Sequence, residues 1–222
     1  EPKIGEPMAL PIVQSTTFRY EDPDLVADLF DLKQEGHMYT RISNPTVEAF
    51  EKKLASLEYG VGAVAVSSGQ SAVLLAILNI CKAGDHIIAS SALYGGTYNL
   101  FNITLRNLGI DTTFVNLDTS EDELLDLVNE KTKLVYGETI GNPGLDIFDF
   151  RKFSNVCKKA NLPLIIDNTV ASPYLCNPFK FGANIFVHST SKYIDGHVVA
   201  LGGGIVDGGN FNWDNGKFSE LV

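Results

Sequence analysis

Basic residues and long apolar runs are scarce in this 222-residue sequence. There are 17 lysines and arginines against 27 aspartates and glutamates, which gives a formal net charge of −10. That balance opposes binding to nucleic-acid phosphates or to anionic membrane surfaces. The longest mainly apolar run, residues 72–80, is too short to cross a bilayer, and the sequence shows no basic-then-apolar leader. We therefore expect neither a nucleic-acid partner nor a membrane partner.

Cysteine is also rare. Cys81, Cys157 and Cys176 are odd in number, far apart, and part of no CxxC or Cys/His cluster. We expect reduced, mostly buried thiols in a cytoplasmic protein, with neither disulfides nor a metal site. The glycine patterns GxGxxG and GxxxxGKS/T are absent as well, which argues against an NAD-binding dehydrogenase domain or a nucleoside-triphosphate site.

The periodicity of the sequence divides the chain into two segments. Residues 1–45 lack a clear hydrophobic period and contain several prolines, so we expect an extended N-terminal arm with one helix over 23–35. The arm is rich in aromatic residues but has little core of its own, and we expect it to contact a neighbouring subunit. Residues 46–222 are predicted to form one α/β domain.

Helical patterns alternate with short β-branched runs from residue 46 onward. The predicted helices are 46–58, 70–82, 95–108, 120–129 and 149–160, and the predicted strands are 63–67, 86–89, 112–115, 133–137, 163–167, 185–188 and 203–206. Some strands are apolar on both faces, as in the interior of a parallel sheet. The alternation predicts a mostly parallel sheet in an α/β/α sandwich. Because the sequence stops at Val222 without a terminating helix, we expect a further C-terminal part.

Ligands of open α/β sheets bind beyond the carboxyl ends of the strands, so the residues that follow each strand are candidates. Ser67 to Ala72 follows the first strand and opens an apolar helix. The N–H groups of Gly69 and Gln70 and the positive end of the helix dipole suit a phosphate there. An ordinary serine N-cap explains the same residues equally well.

Two further strand ends carry a carboxylate and a lysine. Asp167 suits a helix cap, a metal ligand or a partner for a buried cationic ring nitrogen, and taken alone the cap is favoured. Lys192 directly follows a buried strand in the hydroxyl-rich turn that contains Ser189 and Ser191. Most lysines are solvated surface residues, but a lysine held in such a turn can lose its proton and form an imine with a carbonyl cofactor.

Other candidates have weaker signals. Tyr94, before two glycines, suits either stacking on a flat ring or packing on the core. Glu138 and Asn142 lie past another strand end. Tyr39 and Arg41 offer a hydroxyl and a guanidinium to a phosphate, and their place on the arm indicates a site in a neighbouring subunit.

Taken together, these segments resemble the Cys/Met-metabolism family of fold-type I pyridoxal-phosphate enzymes. The resemblance covers essentially the whole chain and rests on five segments. They are 39–46, 67–72, 94–97, 167–169 and 189–192. The sulfhydrylase branch is the most similar, judging by Gln70 and by the stretch 202–213. Many other members carry Met at position 70 and Thr at position 191.

The resemblance implies a role for each matching residue. Lys192 would form the Schiff base with pyridoxal phosphate, Asp167 would pair with the ring nitrogen, and Tyr94 would stack on the ring. The phosphate contacts would be Gly69, Gln70, Ser189 and Ser191, with Tyr39 and Arg41 of an adjacent subunit. The other cofactor contacts would be Glu138, Asn142 and Thr169. No metal is expected.

The resemblance also implies a transferase reaction of methionine biosynthesis and trans-sulfuration. O-acetylhomoserine and sulfide, or a thiol, would give homocysteine, or methionine, and acetate. Cystathionine γ-synthase, cystathionine γ-lyase and methionine γ-lyase activities are the alternatives within the family, and a silent inherited site is the alternative outside catalysis. Family members are usually tetramers made of two site-sharing dimers, and the arginine for the substrate carboxylate is expected in the C-terminal part.

Overall fold

Two units make up the chain, residues 1–53 and residues 54–222, and each is described by itself. The computed structural model describes Gly5 and residues 7–222. Residues 1–4 and 6, at the start of the predicted arm, lie outside the described residues.

Helix α1, Pro23–Phe30, begins where proline fixes the backbone and the side chain of Asp22 accepts a hydrogen bond from the Asp24 amide over 2.9 Å. It ends earlier than predicted, because Leu32 adopts a left-handed backbone with φ of 56°. The predicted helix over 23–35 was therefore wrong in its last turn.

The rest of the first unit is held mainly by polar contacts. Thr17 pairs with Tyr39 in an isolated antiparallel bridge. The side-chain amide of Asn44 donates to the Val13 carbonyl over 2.9 Å, and the Asn44 side-chain oxygen accepts from the Thr46 amide over 2.9 Å. That second bond satisfies an N–H in the first turn of α2, Pro45–Glu58.

A seven-stranded sheet with the order β1-β7-β6-β5-β4-β2-β3 organises the second unit. Its strands are β1 Gly62–Val66, β2 His86–Ser90, β3 Asp111–Val115, β4 Thr132–Glu138, β5 Leu164–Asp167, β6 Ile185–Ser189 and β7 Gly203–Asp207. Strand β7 is antiparallel to both β1 and β6, whereas β6, β5, β4, β2 and β3 pair in parallel. The mostly parallel sheet is confirmed.

Helices pack against this sheet. They are α3 Gly69–Leu78, α4 Gly95–Asn99, α5 Glu121–Asp126, α6 Phe150–Ala160 and α7 Ser172–Leu175, with a π-helical turn over Leu100–Leu105 and a 3-10 turn over Pro178–Phe181. The predicted helix 95–108 is thus α4 continued by a π-helical turn, and α7 was not predicted. No helix among the described residues is long and apolar enough to cross a membrane.

Strands that are buried along their whole length form the core of the second unit. Every residue of β2 is buried, and Leu134, Ile165 and Phe186 in the central strands have no solvent exposure. Side chains on both faces of these strands are apolar because helices cover both sides of the sheet. Polar side chains therefore gather where the strands end.

Candidate active site

The carboxyl ends of β1, β4, β5 and β6 surround one cavity of about 650 Å³. The structure brings these predicted residues to its wall: Gly69, Gln70, Tyr94, Glu138, Asn142, Asp167, Thr169, Ser189, Ser191 and Lys192. Each of them belongs to the second unit.

The start of α3 forms one side of the cavity. The Ser68 hydroxyl caps the helix by accepting from the Ser71 amide over 3.1 Å. A Cβ placed on Gly69 would lie 2.5 Å from the Cβ of Ser189, so only glycine permits this approach of helix and strand. The amides of Gly69 and Gln70, in the first turn, have no acceptor within the helix and are suited to bind an anion.

The opposite side is built around α4. The Gln70 side chain donates to the Thr97 hydroxyl over 3.0 Å and so joins α3 to α4. The Tyr94 amide donates to a carboxyl oxygen of Glu138 over 2.8 Å. The Tyr94 ring lies over Gly96, where an added Cβ would be 2.5 Å from the ring, and about half of the tyrosine is exposed.

Thr169 joins the ends of β5 and β6. Its amide donates to the Asp167 carboxyl over 2.9 Å, and its hydroxyl accepts from the Ser189 amide over 2.8 Å. The threonine thereby fixes the carboxylate and the serine turn relative to each other.

The two carboxyls of the cavity have perturbed acidities. Burial, and then the nearby Asp167, raise the pKa of Glu138 to about 8. Burial also raises the pKa of Asp167, against the opposing effect of the hydrogen bonds from Thr169 and of His188. Among the described residues, neither carboxyl forms a salt bridge. A cationic group in the cavity would relieve both costs.

Lys192 follows β6 in a tight turn, in which its amide donates to the Ser189 carbonyl over 3.2 Å and its carbonyl accepts from the Gly196 amide over 3.1 Å. The residue is exposed at the rim of the cavity. The Ser191 hydroxyl accepts from the Gly202 amide over 2.9 Å and so ties this turn to the start of β7.

Tyr39 and Arg41 lie in the first unit. Both are exposed, and the Arg41 guanidinium carbon is 5.1 Å from the centre of the Tyr39 ring. A hydroxyl and a cation are thus presented side by side.

Sequence reasoning missed the apolar part of the cavity wall, to which Ile140, Val170, Val198 and Leu201 contribute. Val198 and Leu201 belong to an irregular loop in which they are more than three-quarters exposed. No periodic pattern marks such a loop, so its apolar residues were the only available signal.

A mostly parallel sheet with a lysine, two carboxyls and a helix N-terminus around one cavity at its carboxyl edge is an arrangement in which α/β proteins bind small ligands. The chain belongs to the Cys/Met metabolism PLP-dependent enzyme family, whose profile matches residues 2–220. The cofactor of this family is pyridoxal phosphate (PLP).

Curated relatives are similar over nearly the whole chain. The chain is 51% identical over 214 residues to the O-acetyl-L-homoserine sulfhydrylase of Leptospira meyeri, an alignment that covers 96% of this chain and 48% of the relative. It is 47% identical over 216 residues to the homocysteine synthase of Schizosaccharomyces pombe, covering 96% and 50%. The chain therefore spans about half the length of the curated relatives it matches.

Solved structures are also similar. A putative O-acetylhomoserine (thiol)-lyase of Campylobacter jejuni, which contains N'-pyridoxyl-lysine-5'-monophosphate, superposes with a TM-score of 0.86 at 38% identity, covering 90% of this chain and 49% of that one. The cystathionine γ-lyase of Lactobacillus plantarum complexed with L-serine gives a TM-score of 0.81 at 34% identity, covering 90% and 49%. These likenesses confirm the predicted fold class and family.

The residues of the cavity fit PLP by their own chemistry. The close approach of Gly69 to Ser189 leaves amides and hydroxyls for a phosphate. The buried carboxyls of Glu138 and Asp167 favour a cationic ring nitrogen. Lys192 offers an amine to an aldehyde at the rim of the same cavity.

We expect Gly69→Ala to weaken PLP binding by about tenfold or more, which corresponds to about 1.4 kcal/mol. The added methyl would collide with Ser189 and displace the start of α3. Visible absorbance during titration with PLP measures the affinity. Gly62→Ala is the matched control, because a Cβ on Gly62 would meet no atom within 4 Å. Equal affinities of the two variants would contradict the phosphate seat.

The raised pKa of Glu138 gives the stability of the cofactor-free protein a defined pH dependence. Below pH 4.5 this carboxyl is protonated in both the folded and the unfolded chain. Between 4.5 and about 8 the unfolded chain loses the proton while the folded chain retains it, so the free energy of unfolding falls as the pH rises through this window.

We expect Glu138→Gln to reduce that fall, because the amide does not ionise. Chemical denaturation at about pH 5 and about pH 9 measures the difference in the free energy of unfolding. Glu130→Gln, at an exposed residue, serves as the control and keeps the wild-type dependence. Identical pH profiles of the wild type and Glu138→Gln would show that this carboxyl has an ordinary acidity.

Proposed function

We propose that this chain carries the cofactor site of an enzyme that replaces the acetate group of O-acetylhomoserine with sulfide or a thiol. The products are homocysteine, or methionine, and acetate. The observation that carries the proposal is the meeting of Lys192, Asp167 and the Gly69 turn around one cavity. The names of the relatives, an O-acetyl-L-homoserine sulfhydrylase and a homocysteine synthase, support this particular reaction.

Each part of PLP has residues that would hold it. Lys192 would bind the aldehyde through its amine, and the carboxylate of Asp167 would stabilise a proton on the ring nitrogen. Tyr94 would stack on the ring. The phosphate contacts would be Gly69, Gln70, Ser189 and Ser191. Glu138, Asn142 and Thr169 would complete the site.

PLP supplies an electron sink that takes up negative charge developing at the substrate Cα. The protein side of the chemistry is proton movement and orientation. Nζ of Lys192, once the substrate amine has replaced it at the aldehyde, would take the proton from Cα as a general base. The Asp167 carboxyl would lie next to the ring nitrogen, and Thr169 holds that carboxyl in place by its amide hydrogen bond of 2.9 Å.

Glu138 and Tyr94 act as an orienting pair. The carboxyl oxygen of Glu138 accepts from the Tyr94 amide and so fixes the backbone from which the aromatic ring projects. With its pKa raised to about 8, Glu138 is mostly protonated at neutral pH and adds little negative charge beside Asp167.

We expect the protein, supplied with PLP, O-acetylhomoserine and sulfide, to release acetate and form homocysteine. Lys192→Ala should lower the rate by about a hundredfold or more, because it removes the proton-transferring amine. Lys131→Ala, at an exposed lysine, is the control and should retain full activity. The panel also contains O-succinylhomoserine, cystathionine and methionine. Preferred turnover of any of these three over O-acetylhomoserine would contradict the proposed substrate.

We also propose a cytoplasmic homotetramer built from two dimers, in which Tyr39 and Arg41 bind the cofactor phosphate of a second copy. Their exposed hydroxyl and guanidinium support this, since they suit a phosphate. Free cysteines, two of them buried, support a reducing compartment.

We expect Arg41→Ala and Lys192→Ala to be weakly active alone and to regain about a quarter of the wild-type sites when equal amounts are refolded together. Mixed dimers would contain one site that carries neither substitution. The rate of acetate release measures the recovery. If the mixture is no more active than the mean of the separate variants, the sites are not shared.

A further inference from the structure

A fully buried acid lies behind the candidate site. Glu58, the last residue of α2, has no solvent exposure. One carboxyl oxygen lies 2.5 Å from Nε2 of His188 and accepts from the Asn168 side chain over 2.8 Å. The other accepts from the Asn177 side chain over 3.2 Å. Three side chains therefore satisfy a carboxyl that would otherwise be costly to bury.

The same network reaches three strand ends. The Thr139 hydroxyl donates to the Asn168 side-chain oxygen over 2.8 Å, which adds the end of β4 to those of β5 and β6. Thr139, Asn168 and His188 are buried, and each is next in sequence to a residue that lines the cavity. Those neighbours are Glu138, Asp167 and Ser189.

These anchored residues also restrict the orientation of their neighbours in the sequence. Successive side chains along an extended strand point to opposite faces, so a residue anchored on one face fixes the direction of its neighbour on the other. His188 and Ser189 are neighbours in β6, so anchoring His188 through Glu58 constrains Ser189. Asn168 directly follows the last residue of β5, Asp167, and anchoring it restricts the backbone on which that carboxyl sits. Glu58 itself does not line the cavity.

Stability alone does not account for this network. Apolar side chains of similar volume often stabilise a core as well as, or better than, a buried charged pair does. What a hydrogen-bonded network adds is a defined geometry, because each bond holds its two side chains at a fixed distance and direction. The second effect is electrostatic: His188 opposes the rise in the pKa of Asp167.

We propose that Glu58 is a positioning residue, which orients Asp167 and Ser189 toward PLP through Asn168 and His188. The inference rests on the proposed function, because it assigns a purpose to the network only if PLP binds in the cavity.

The test compares Glu58→Gln with the wild type by titration with PLP. Glutamine keeps the shape of the side chain, but with its oxygen toward His188 and Asn168 it places an NH2 donor against the Asn177 side-chain amide, which also donates. We expect the dissociation constant for PLP to rise about tenfold or more, which is the loss of one good hydrogen bond to a charged group. The visible circular dichroism of the bound cofactor, which reports its orientation, is expected to change as well.

Leu124→Ala is the matched control for a merely structural role. Leu124 is fully buried in α5 and belongs to no part of the network. Its truncation is expected to lower the melting temperature while leaving the dissociation constant and the visible circular dichroism unchanged. If Leu124→Ala alters both cofactor readouts as much as Glu58→Gln does, the positioning role is overturned.

The remaining outcomes are also decisive. A wild type that gives no visible PLP band contradicts the proposed function itself, whereas a normal wild type with an unchanged Glu58→Gln contradicts only the positioning role. If Glu58→Gln does not fold, Thr139→Val replaces it, since this substitution keeps the shape and removes only the hydroxyl that holds Asn168. Weaker PLP binding with altered circular dichroism then supports the proposal, and unchanged values overturn it.

Discussion

The structure depends on one constraint: parallel strands that are buried on both faces carry mostly apolar side chains, so polar side chains gather where the strands end. Strands β4, β5 and β6 run in the same direction, so their carboxyl ends meet at one edge of the sheet. Glu138, Asp167 and Ser189 are the last residues of those strands. The parallel topology therefore brings these polar residues together at one edge of the sheet, and the apolar core beneath that edge supplies rigidity.

That concentration has an electrostatic cost, which the surroundings reduce. Two carboxyls at neighbouring strand ends lose solvation and repel each other, and the result is a Glu138 that stays mostly protonated at neutral pH. Burial raises the pKa of Asp167 as well, and the hydrogen bonds from Thr169 and the nearby His188 oppose that rise. A cofactor with a cationic ring would bring a positive charge to these two carboxyls. Its anionic phosphate would bind at the N-terminus of α3.

Most of the sheet could be predicted from the sequence, because all seven strands are short β-branched runs and strands such as 164–166 are buried on both faces. The shared edge then placed the predicted residues of 54–222 around one cavity, although their roles stay predictions. Three features could not be predicted. Helix α1 ends at Phe30 because Leu32 takes a rare backbone conformation, and the exposed loop around Val198 has no period. Glu58 resembles any surface glutamate, since its partners are more than a hundred residues away.

The central claim is that the amine of Lys192, at the end of β6, is the group that holds PLP. The most direct measurement is borohydride reduction of the PLP-loaded protein, followed by proteolysis and mass spectrometry of the peptides. The account predicts one pyridoxyl adduct, on the peptide that contains Lys192, and its disappearance when free PLP is left out. An adduct confined to other lysines, or no adduct at all, would contradict it.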